Sequence, residues 1–97
     1  MKKCPSDDTP NMIHFTQFLF PDGARVDQWV PRSKEIYDLA CDLYNNGFRF
    51  EIENNCGKIW MRTIKGEESV DRFCSNGPDV PDKIDEMIKE AHERFLK

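Results

Sequence analysis

The sequence predicts an α+β two-layer sandwich: a five-stranded antiparallel sheet of order 2-1-3-4-5, with two helices on one face and the topology ββαβββα. Three observations carry this prediction. Two segments repeat apolar residues at helical spacing, several others alternate apolar with polar residues or collect β-formers, and turn residues separate them at hairpin distances. The chain has 97 residues, 38% of them hydrophobic and 33% charged. That is enough for one core and too little for separate catalytic and binding domains.

Residues 1–11 hold Lys, Pro, Ser, Asp and Asn with almost nothing apolar, so a disordered N-terminal tail is expected there and a single domain over 12–97. Met12 to Phe20 is rich in β-formers and runs into Pro21-Asp22-Gly23, residues suited to a turn, after which Ala24 to Val30 returns as a second strand. Pro31 ends that strand. Ser33 is placed to cap a helix whose apolar positions are Ile36, Leu39, Ala40 and Leu43, and Asn45-Asn46-Gly47 supplies residues that tolerate a left-handed C-terminal cap.

Phe48, Phe50 and Ile52 alternate with Arg49, Glu51 and Glu53 ahead of Asn54-Asn55-Cys56-Gly57. A four-residue loop there sets Glu53 opposite Lys58, Glu51 opposite Trp60 and Phe50 opposite Met61. Lys65-Gly66-Glu67 turns the chain into a fifth strand, Ser69 to Cys74, read as an edge whose facing is open because Val70 and Phe73 point to opposite sides. Pro81 suits the first turn of a second helix, with Ile84, Met87, Ile88, Ala91 and Phe95 as its apolar stripe. Placing the third strand beside the first, with the first helix as the crossover, yields the all-antiparallel order.

Charge and leader residues narrow the function classes. Eighteen acidic and fourteen basic side chains leave a net charge of −4, which disfavours non-specific attraction to nucleic acid or anionic lipid. The start, Met1 to Asp8, has no apolar stretch, and no window is apolar enough to span a membrane. With cysteines spread at Cys4, Cys41, Cys56 and Cys74, the expectation is a cytoplasmic protein with reduced thiols and no membrane partner.

Three short motifs stand out: His14-Phe15-Thr16-Gln17 with Leu19 and Pro21-Asp22-Gly23, then Phe50-Glu51-Ile52-Glu53, then Asn76-Gly77-Pro78 with Val80-Pro81. In these the chain resembles a group of small, mostly uncharacterised proteins of bacteria, prophages and phages. The similarity spans roughly residues 12–92 and weakens between Asn55 and Arg72. The resemblance implies a mobile-element setting and brings no activity, ligand or catalytic residue with it.

The chemistry-bearing residues read plainly as structure. His14 and His92 are the two histidines, and neither is spaced to serve a catalytic cysteine or to form half of a zinc site. Glu51/Glu53 reads as a solvated strand face rather than an acid/base pair. The glycines are isolated turn residues with no phosphate-binding pattern, so no cofactor or metal is expected.

The feature that stands out is the sheet face away from the helices, where His14, Thr16, Phe18, Arg49, Glu51, Trp60 and Arg62 share one side. An exposed Trp and Phe among arginines suits a contact surface, although these side chains can also cover one another. The leading expectation is a non-enzymatic protein-interaction module, accessory or regulatory, with an unidentified protein partner. Single-stranded nucleic-acid binding on the open face is the alternative, and a small enzyme without a recognisable motif comes third. The chain is expected as a monomer or a homodimer. A dimer through the open face would be self-complementary if Arg49 and Arg62 met Glu51 and Glu53 of the other copy.

Overall fold

A computed structural model describes residues 11–97. The elements follow as β1 (Met12–Phe20), β2 (Ala24–Pro31), α1 (Lys34–Asn45), β3 (Arg49–Asn55), β4 (Lys58–Lys65), β5 (Glu68–Ser75) and α2 (Val80–Leu96). The sheet order is β2-β1-β3-β4-β5, and its pattern with two helices is the predicted ββαβββα. Residues 1–10 of the expected tail lie outside the described residues. Asn11 is held, its carbonyl accepting from the Arg32 N–H at 3.0 Å.

The helix boundaries follow their local chemistry. Ser33 Oγ accepts from the Ile36 N–H, satisfying one of the donors a helix start leaves over. At the other end Gly47 N–H donates to Tyr44 and Phe48 N–H to Leu43, with Gly47 at φ +93°. This is a Schellman termination, and Phe48 and Leu43 both enter the core beside it. Pro81 sits in the first turn of α2, where its missing N–H costs nothing.

The core lies between the helices and one sheet face. Phe15, Leu43, Met61, Ile84, Met87 and Ile88 are essentially inaccessible, joined by Ile13, Ile36, Phe50, Ile52, Ile59 and Val70. Phe95 stacks on Phe48 with ring centroids 5.1 Å apart and closes one end.

Three expectations are corrected. The sheet is mixed, because β1 and β3 pair in parallel, Thr16 opposite Glu51 through Phe20 opposite Asn55. Pro31 lies opposite Met12, so β2 ends at the end of the sheet where β1 begins, and β3 begins at that same end. The roughly 18 Å of a twelve-residue helix is therefore not used to return along the strands. With β2 and β3 running oppositely, β3 must run with β1.

The β3–β4 loop is two residues, not four: Asn55 pairs with Lys58, Glu53 with Trp60, Glu51 with Arg62 and Phe50 with Thr63. Cys56 and Gly57 both take left-handed φ, 53° and 88°, the signature of a tight hairpin turn whose twist matches that of its strands. The slip is by two residues, so every side chain keeps its predicted face.

Cys41 is buried and disulfide-bonded, which corrects the expectation of a reduced thiol at that position, while Cys56 and Cys74 are free. Distance along the chain does not limit proximity in space. The open facing of β5 is resolved: Val70 enters the core, and Phe73 lies on the opposite face, 68% exposed.

Candidate functional site

Strand alternation and register place all seven predicted residues on the face away from the helices. Cross-strand pairing sorts them into rows. One row runs Arg25, Phe18, Glu53, Trp60, Phe73; the next runs Asp27, Thr16, Glu51, Arg62, Asp71; Trp29 and His14 pair in a third, at whose level Arg49 begins β3.

The middle of this surface is internally satisfied. Arg62 donates through Nε to Glu51 Oε1 at 2.8 Å and through Nη2 to Glu53 Oε1 at 2.9 Å, and its guanidinium lies 4.6 Å from the centre of the Trp60 ring. Burial works against the Arg62 charge, but the two glutamates outweigh it and hold the guanidinium above its ordinary pKa. Trp60 donates its Nε1–H to Asp71 Oδ2 at 3.1 Å and stacks on Phe73, 13° from parallel. A two-fold dimer in which Arg62 sought glutamates of another copy would have to break these contacts first.

The margins are less committed. His14 hydrogen-bonds Asp27 at 3.0 Å and packs against Trp29, with ring centres 4.9 Å apart. Arg49 is exposed and has no hydrogen bond or ion pair among the described residues. It borders a depression of about 110 Å³ shared with His14, Thr16, Tyr44 and Phe50. At the opposite corner a wider, shallower depression of about 250 Å³ opens beside Trp60 and Phe73, with Glu53, Asn55, Lys58 and Ile59 around it.

Sequence reasoning missed Trp29, Asp27, Asp71 and Phe73 as members of this face. The two on β2 were missed because taking Pro21-Asp22-Gly23 as the whole turn sets Phe20 opposite Ala24 and His14 opposite Val30, whereas Phe20 belongs to the loop and the ladder starts with Leu19 opposite Ala24, which sets His14 opposite Trp29. Those on β5 depended on a facing that Val70 and Phe73 left ambiguous.

No catalytic constellation forms around the histidines among the described residues. His14 meets Asp27 and His92 meets Asp42 at 3.2 Å, with no nucleophilic side chain hydrogen-bonded to either ring. Burial, followed by the charge of Asp79, pushes the Cys74 thiol above its ordinary pKa, the opposite of what a nucleophile needs. Among the described residues no group of His, Cys, Asp and Glu is arranged to hold a metal ion, and no helix is long and apolar enough to cross a membrane. No protein-family model, curated protein or solved structure matches the chain.

Proposed function

We propose that this domain is a non-enzymatic protein-interaction module that contacts its partner through the aromatic row of the open face. The observation that carries the reading is the pairing of exposed aromatics with a balanced set of charges. Phe73 is 68% exposed and Trp29 41%, while Arg25, Arg49, Lys58 and Arg62 share the face with Asp27, Glu51, Glu53 and Asp71. Stacked aromatics beside arginine are the groups that dominate interface energies. A neutral face suits another folded protein better than a polyanion. The partner is one that offers an apolar side chain to the depression beside Trp60 and Phe73.

Single-stranded nucleic acid is a poorer occupant, because Arg62, the arginine best placed beside an aromatic platform, is already neutralised by two glutamates. The accessory or regulatory role is supported by the small size and acidic charge of the chain, and its setting in a phage or prophage-like element by the motif resemblance. The proposed location is cytoplasmic. A reducing cytoplasm would open the Cys41 bond, so the module is proposed to bind its partner with or without it.

The test compares wild type with Phe73→Asp in affinity capture from the natural host, with nuclease treatment and a parallel binding series in salt. Phe73 is exposed enough for the variant to keep the wild-type circular dichroism. One protein retained by wild type after nuclease and lost with the variant supports the reading. Material lost to nuclease, or binding that falls steeply with salt, replaces it with nucleic-acid recognition.

A further inference from the structure

We propose that two copies of this chain pair edge to edge through β2, antiparallel about a two-fold axis centred on Val26, to give one continuous ten-stranded sheet. The inference does not require the proposed function, because it starts from the backbone edge of the sheet, although Arg25 and Asp27, which set the register, also border the open face.

The starting point is how little protects this edge. In β2 seven of eight residues are exposed, and only Val30 is half-buried. An edge strand presents unpaired N–H and C=O groups, and folded proteins usually blunt such edges with lysines, prolines, bulges or a covering element. β2 carries no lysine and no bulge, its register to β1 running unbroken from Met12 opposite Pro31 to Leu19 opposite Ala24. Its proline is the last residue. The other edge differs: the Arg72 side chain of β5 reaches over to Glu86 and Glu90 of α2.

The side chains then select the occupant and the register. In a two-fold antiparallel pair, directly opposed residues share a face, and one residue faces its own copy at the axis. Centring on Arg25 or Asp27 sets like charges against each other. Centring on Val26 sets Arg25 opposite Asp27 of the other copy twice, on the same face, and brings together two Val26 side chains that are each 41% exposed. It also leaves Pro31, which has no N–H to give, outside the shared ladder. Arg25 has no hydrogen bond or ion pair among the described residues, and the Asp27 side chain is 71% exposed, bonded only to His14. Both are available to a second copy.

The experiment measures mass in solution by sedimentation across a concentration series, on the full chain and on three variants: Arg25→Asp, Asp27→Arg, and both together. Wild type is expected at twice 11.4 kDa at the upper concentrations. Each single reversal turns two cross-strand attractions into repulsions and weakens association roughly tenfold, and the double exchange restores it. Amide exchange at Ala24 to Gln28 should slow as concentration rises. A wild-type chain that stays monomeric to millimolar concentration overturns the proposal. So does a dimer indifferent to the charge exchange, which would sit on another surface.

Discussion

Arg62 carries more of the open face than any other side chain. It satisfies two carboxylates that face one another across a single residue of β3, and it covers one side of the Trp60 ring, while Phe73 stacks with that ring. Removing it leaves Glu51 and Glu53, each about three-quarters buried at the side chain, without their donor. Arg62→Met is therefore expected to cost about 1–3 kcal/mol of stability, the penalty for stranding charged partners rather than the net worth of the pairs. Adding Glu51→Gln and Glu53→Gln to that variant should recover much of the loss. Urea unfolding of the three proteins checks this, and an unchanged midpoint in Arg62→Met would show that water serves the glutamates as well. The sequence already put these three residues on one face, because alternation fixes facing. It did not reveal that they satisfy one another, because that depends on a register two residues away from the predicted one.

At the scale of elements, the β3–β4 turn shows where local chemistry and the observed geometry part. Asn54-Asn55-Cys56-Gly57 reads as a four-residue loop because both asparagines are turn-formers, yet Asn55 joins the ladder and the left-handed positions fall to Cys56 and Gly57. Asn54 still contributes, its Oδ1 accepting from the Gly57 N–H at 3.2 Å. A cysteine at φ 53° carries a steric penalty that asparagine tolerates better. Cys56→Asn should stabilise the domain by about 0.5 kcal/mol, a few degrees in melting temperature, whereas Gly57→Ala should destabilise it by about 1 kcal/mol. Thermal melts of the two variants separate this from an indifferent loop, in which both shifts would vanish. The helices were legible nearly to the residue, since Ser33, Gly47 and Pro81 mark their ends by mechanisms confined to one turn of chain. The direction of β3 was not, because an amphipathic helix buries the same stripe whether it returns along the strands or stays at one end of them.

Across the whole molecule α2 is the element that binds the layers, and its ties are ionic as well as apolar. Arg32, just beyond β2, donates to Asp85 from both Nε and Nη2 at 2.8 Å. On the far edge Arg72 reaches from β5 to Glu90 and Glu86, and His92 meets Asp42 of α1. Glu90 collects Arg72 from the sheet and Arg94 from its own helix. The hydrogen bond from Arg72, followed by a weaker opposing effect of burial, leaves the Glu90 carboxyl below its ordinary pKa of 4.5. In the unfolded chain Glu90 takes up a proton at higher pH than in the fold. Its contribution is thus complete above about pH 4.5 and is lost as pH falls through the folded value. Glu90→Gln should lower the melting temperature near neutral pH and lose its disadvantage as the solution is acidified, so that the two melting curves converge. A constant gap across that range would mean that Glu90 holds α2 by packing of its side-chain stem, and that the charge it shares with Arg72 adds nothing to the joining of the two layers.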